Sequence, residues 1–122
     1  MEGKPRVLIV DDEPSIVQVI ADELAFEGFD AKSAADGADA VRLAADWRPQ
    51  VVLLEHPTIT LDPADVRPFA ETVKRVAEAR RLTVVAITED AGFADAVATR
   101  AYKLNGGTGA LSSTRGWRRF LP

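Results

Sequence analysis

The chain has 122 residues, 47% of them hydrophobic, which is enough for one domain with its own core. Its net charge of −4 excludes nucleic-acid binding by bulk positive charge. It has no cysteine, so disulfides and thiolate metal sites are excluded. No apolar run approaches the roughly 18–20 residues of a membrane span, and MEGKPRVLIVDD is too briefly apolar for a signal peptide. A single cytoplasmic domain over residues 1–122, bound to neither membrane nor nucleic acid, is the expectation.

Arg6–Val10 (RVLIV) reads as a buried parallel strand. Asp11, Asp12, Glu13 and Pro14 end it, with Pro14 in the first turn of a helix. Ile16, Ile20 and Leu24 recur at steps of four, and Gly28 closes that helix. Phe29–Ala34 is a weaker second strand. Asp36-Gly37 marks a turn, and Ala38–Trp47 is a second helix ended by Pro49. Gln50–Leu54 is the third and most apolar strand, and it runs straight into Glu55. His56–Pro63 is a loop. Val66, Phe69, Val73 and Val76 mark the third helix, and Leu82–Thr88 is the fourth strand. Glu89–Gly92 is a loop. Phe93, Val97, Ala98, Ala101 and Leu104 mark a fourth helix, stopped by Asn105-Gly106-Gly107. Thr108–Ser113 is a fifth strand, weakened by its glycines.

Strands alternating with helices predict a doubly wound α/β fold with a parallel sheet. Ligands in such folds bind beyond the carboxyl ends of the strands. Those ends carry Asp11-Asp12, Glu55, Thr88 and Ser112-Ser113. If strands one and three are neighbours, three acids converge. Oxygen ligands gathered in that way suit Mg²⁺. The plainer reading of the two aspartates is a helix cap, where acids favour the positive dipole end.

VLIVDDEPSI, PQVVLLE and VVAIT, in this order and spacing, resemble the receiver domain of two-component response regulators. The resemblance covers about residues 5–104 and is strongest up to Glu55. It implies a flavodoxin-like sheet of five parallel strands in the order 2-1-3-4-5. It also implies a mechanism. An aspartate ending strand three takes a phosphoryl group from a histidine kinase, Mg²⁺ sits on the acidic pair, and a hydroxyl on strand four and a lysine on strand five bind the phosphoryl oxygens. Position by position, Asp11 and Asp12 match the metal pair and Thr88 matches the switch hydroxyl.

The departures are pointed. Glu55 stands where the phosphoacceptor aspartate belongs, and Ser113 stands at the place of the missing lysine. Lys103 is the nearest upstream lysine, and its position falls on the fourth helix. The aromatic switch position falls near Ala110. Glutamate is longer than aspartate by one C–C bond, about 1.5 Å. In-line phosphoryl transfer depends on placement to about 1 Å. The lost lysine removes a fixed cation. Little or no phosphoacceptance at Glu55 is therefore expected.

The leading expectation is a degenerate receiver, not an enzyme, acting through protein partners such as a kinase or an output domain. Whether Glu55 imitates a phosphorylated aspartate or only occupies its place stays open. A second reading is a working phosphoacceptor using Asp12 or an adapted Glu55. A third is a small Mg²⁺-dependent phosphoryl-transfer enzyme, for which neither a general base nor a Gly-rich cradle is visible. His56, the only histidine, reads as a solvated loop residue, and Arg80-Arg81 as cations suited to a helix end. Trp117, Phe120 and Leu121 with Arg115, Arg118 and Arg119 read as the start of a short or truncated fifth helix. A sheet face left uncovered there would serve a partner or a homodimer. An output region beyond Pro122 is left open.

Overall fold

The computed structural model describes residues 3–113. The segment around Trp117, Phe120 and Leu121, expected to start a fifth helix, lies outside the described residues. Ten elements run in chain order: β1 (Arg6–Val10), α1 (Pro14–Phe26), β2 (Asp30–Ala34), α2 (Gly37–Trp47), β3 (Val51–Glu55), α3 (Pro63–Arg80), β4 (Thr83–Ile87), α4 (Ala91–Val97), β5 (Tyr102–Leu104) and β6 (Leu111–Ser113).

β1 to β4 form one parallel sheet in the order β2-β1-β3-β4. The chain steps one way from β1 to β2 and the other way thereafter. Right-handed crossovers then put α1 on one face and α2 and α3 on the other. Leu8, Val52 and Val84 are in register across three strands. They share a face with Val10, Leu54 and Ala86, because side chains alternate along a strand. This face builds the core. Leu8, Ala34, Val52, Leu54, Ala70 and Phe93 are buried in it, with α2, α3 and α4 side chains packed around them.

Phe93 and Leu8 are fully buried, and the Phe93 ring stacks on Phe69 at 5.7 Å between centroids. The opposite face carries Val7, Ile9, Val51, Leu53, Thr83, Val85 and Ile87. Here α1 lies toward β2, and at the other end of the sheet Val85 is 47% and Ile87 43% exposed.

The helices begin and end for local reasons. Pro14 and Pro63 stand in the first turns of α1 and α3, where a missing N–H costs nothing. Asp36 caps α2 by accepting from the Asp39 N–H at 2.8 Å. The chain leaves α1 through Gly28 at φ 95°, a conformation only glycine adopts freely.

The expectation fails beyond Val97. The fourth helix was expected to reach Leu104, but Ala98 is extended at ψ 137° and ends it. Tyr102–Leu104 is a strand, so Lys103 sits on a strand and not on a helix. Leu104 alternates with Tyr102 at a period of two as well as it fits the helical spacing that suggested otherwise. The fifth strand of the parallel sheet is also corrected. Leu111–Ser113 pairs antiparallel with Tyr102–Leu104 in a separate hairpin, leaving four strands in the main sheet among the described residues. The turn is made locally. Asn105 Oδ1 accepts from the N–H groups of Gly107 (2.9 Å) and Thr108 (3.1 Å), and Gly109 has φ 74°. Closing this short loop costs less chain entropy than reaching back to β4.

Candidate functional site

β1 and β3 are neighbours, and Val10 pairs with Leu54. The next residues, Asp11 and Glu55, therefore stand side by side at the carboxyl end of the sheet. Asp11 is held from both sides. Its N–H donates to the Ala34 carbonyl at 3.2 Å, and its Oδ1 accepts from the Glu13 N–H at 3.1 Å. The second bond turns the chain into α1.

The Glu55 side chain stands beside Asp11 at this end of the sheet. Its Oε2 is buried and has no hydrogen-bond partner. Burial raises the Glu55 pKa above its ordinary value, the hydrogen bond with Asp11 and the Asp11 charge push it the same way, and His56 opposes them.

The other expected residues stand around this pair or away from it. Asp12 is exposed. Glu55 pairs with Ile87, so Thr88 follows just beyond the end of β4. Its Oγ1 accepts from the Asp90 N–H at 2.9 Å, within its own loop. His56 takes a left-handed backbone at φ 47° and donates its N–H to the Ile87 carbonyl at 2.8 Å. Ser113 and Lys103 both belong to the hairpin, so neither ends a strand of the main sheet. Ala110 lies in the hairpin loop, where its carbonyl accepts from the Asn105 N–H at 2.9 Å. Among the described residues, no group of three or more His, Cys, Asp or Glu could hold a metal ion. Asp11 and Glu55 set hard oxygen donors side by side, including the unpaired Oε2, a donor set of the kind that Mg²⁺ takes together with water.

One part of the site escaped the sequence. Thr58, in the loop after β3, is the buried polar residue among the described residues. Its hydroxyl donates to Asp90 Oδ2 at 2.9 Å, while Asp90 Oδ1 accepts from the Phe93 N–H at 2.9 Å. Asp90 is thus the N-cap of α4. The Phe93 N–H, then the Thr58 hydroxyl, hold its pKa below the ordinary value. The signal was present: an aspartate three residues before Phe93, in a stretch read only as a loop.

No family model matches the chain. It is 37% identical over 64 residues to the transcriptional regulatory protein PrrA of Mycobacterium leprae, a match covering 52% of this chain and 28% of that protein. The chain thus spans about a quarter of the length of the curated relatives it matches. Among solved structures, it is 32% identical to the signal receiver domain of a modulated diguanylate cyclase from Desulfovibrio desulfuricans, with a TM-score of 0.52, covering 72% of this chain and 69% of that one. A response regulator receiver domain protein from Methanospirillum hungatei shares the fold at 19% identity, with a TM-score of 0.61 over 80% of this chain and 78% of its own. The chain belongs to the receiver-domain family of two-component response regulators.

Proposed function

We propose that this receiver does not accept a phosphoryl group at Glu55 and acts by binding protein partners, without enzymatic activity of its own. The observation that carries this reading is the Glu55 carboxyl, half-buried against Asp11 with an orphaned oxygen. A carboxylate must attack phosphorus in line, with its charge free and its position held. Glu55 is instead desolvated beside a second acid. Thr88, just beyond the end of β4, is oriented by the hydrogen bond that it accepts within its own loop. Among the described residues, the main sheet ends in no lysine that could neutralise an incoming phosphoryl group.

Mg²⁺, when bound, would neutralise the acids and supply charge stabilisation, and Asp11 and Glu55 are the residues to hold it. Asp12, the exposed neighbour of Asp11 and the second residue of the metal-pair motif, would complete the acidic set around it. The partners in this reading are a histidine kinase or an output domain that reads one fixed surface.

The test is intact-mass measurement of the 122-residue chain after incubation with acetyl phosphate and Mg²⁺. No phosphoryl adduct is expected. A Mg²⁺-dependent adduct mapped to Glu55 would overturn the proposal. The exposure of Asp12 favours a second reading, in which that residue is the acceptor, and peptide mapping of any adduct separates the two.

A further inference from the structure

The two edges of the parallel sheet are built differently. The β2 edge is DAKSA, with exposed Asp30, Lys32 and Ser33, and Lys32 Nζ lies 5.1 Å from the centre of the Trp47 ring. Charges on an edge discourage pairing with another chain. The β4 edge is TVVAI, with no charge, proline or bulge, and Thr83, Val85 and Ile87 are exposed. An apolar edge of this kind is a template for a further strand. Among the described residues, no strand pairs with its outer side.

The free groups on that side follow from the ladder. The Thr83 N–H donates to the Gln50 carbonyl at 3.0 Å, and the Ile87 carbonyl accepts from the His56 N–H at 2.8 Å. Residues 83, 85 and 87 therefore face β3, and the backbone groups of Val84 and Ala86 point outward.

We propose that β4 is a homodimer interface, in which two copies pair β4 with β4 antiparallel about a two-fold axis at Val85. Val84 of one copy then exchanges both backbone hydrogen bonds with Ala86 of the second copy, and the reverse, using every outward group. Val85 meets Val85 of the second copy in a non-hydrogen-bonded pair, where side chains approach most closely. Thr83 meets Ile87 of the second copy. Beyond the strand, charge selects this arrangement. Arg81 stands two residues before β4 and Glu89 two residues after it, and both are exposed. Arg81 is the left-handed C-cap of α3, so the ladder stops short of it, but the two-fold sets the Arg81 end of each strand against the Glu89 end of the other, within reach of these long side chains. A parallel copy would instead set like charges together. The contact is isologous and closes on itself, so it ends at a dimer.

Sedimentation velocity of the 122-residue chain over a concentration series tests this. A reversible dimer is expected, weakened by added salt. Val85→Lys, which places two ammonium groups against each other on the axis, should abolish it. Arg81→Glu and Glu89→Arg should each raise the dissociation constant roughly tenfold. The double reversal, Arg81→Glu with Glu89→Arg, should bring the dimer back, which a merely misfolded variant would not do. A chain that is monomeric throughout would overturn the proposal, as it would if its own residues after Ser113 covered the edge. So would a dimer indifferent to Val85→Lys, or a double reversal as weak as either single change.

Discussion

The hydroxyl of Thr58 donates to Asp90 Oδ2 across 2.9 Å, and this contact ties the loop after β3 to the first turn of α4. The same carboxylate caps α4 through the Phe93 N–H, and the Asp90 N–H returns a bond to Thr88 Oγ1. Asp90 thus joins Thr58 and Thr88, which stand in the loops after β3 and β4.

Thr58→Val should lower the Tm by about 4 °C, because a buried hydrogen bond is lost while the volume is kept. The effect should depend on pH. The Asp90 pKa is lowered on folding, so its stabilisation is present above the ordinary value of 3.8 and is lost as pH falls below it through the folded value. The difference between wild type and Thr58→Val should therefore be full at neutral pH and shrink below about pH 3.8, as thermal melts across that range would record.

Glu55→Gln should stabilise the fold at neutral pH by about 1 kcal/mol, because a neutral amide beside Asp11 can donate where the carboxylate only repels. The Glu55 pKa is raised on folding. Wild-type stability is therefore fully present below the unfolded value of 4.5 and falls as pH rises through the folded one. The gain from Gln should be largest at neutral pH and vanish below about pH 4.5, with urea midpoints as the readout.

Phe93→Ala should cost about 4 kcal/mol, the typical loss for a fully buried ring. It also removes the stack on Phe69, which joins α4 to α3. In a domain whose total stability is on the order of 10 kcal/mol, urea denaturation should show a much earlier midpoint.

Much of this was legible in the letters. RVLIV and VVLLE are continuous apolar runs, and such runs read as strands buried on both faces. Their adjacency predicted that Asp11 and Glu55 would meet, and the register places them side by side. The end of the chain was less legible for a physical reason. Leu104 extends the helical spacing of Phe93, Val97 and Ala101 as readily as it alternates with Tyr102 in a strand. Only the hydrogen bonds of the Asn105 turn decide between them. The Thr58–Asp90 bond spans 32 positions, and no local pattern announces a pairing between two loops.

On the proposed reading the pocket has lost more than its aspartate. The direct measurement is phosphoryl incorporation into the Glu55→Asp variant, by intact mass, with acetyl phosphate and Mg²⁺. With Thr88 engaged by Asp90 and no lysine ending the main sheet among the described residues, no Mg²⁺-dependent adduct should form even when the aspartate is restored. An adduct on residue 55 of that variant would contradict the account, for it would mean that the pocket is intact and only one side chain was changed.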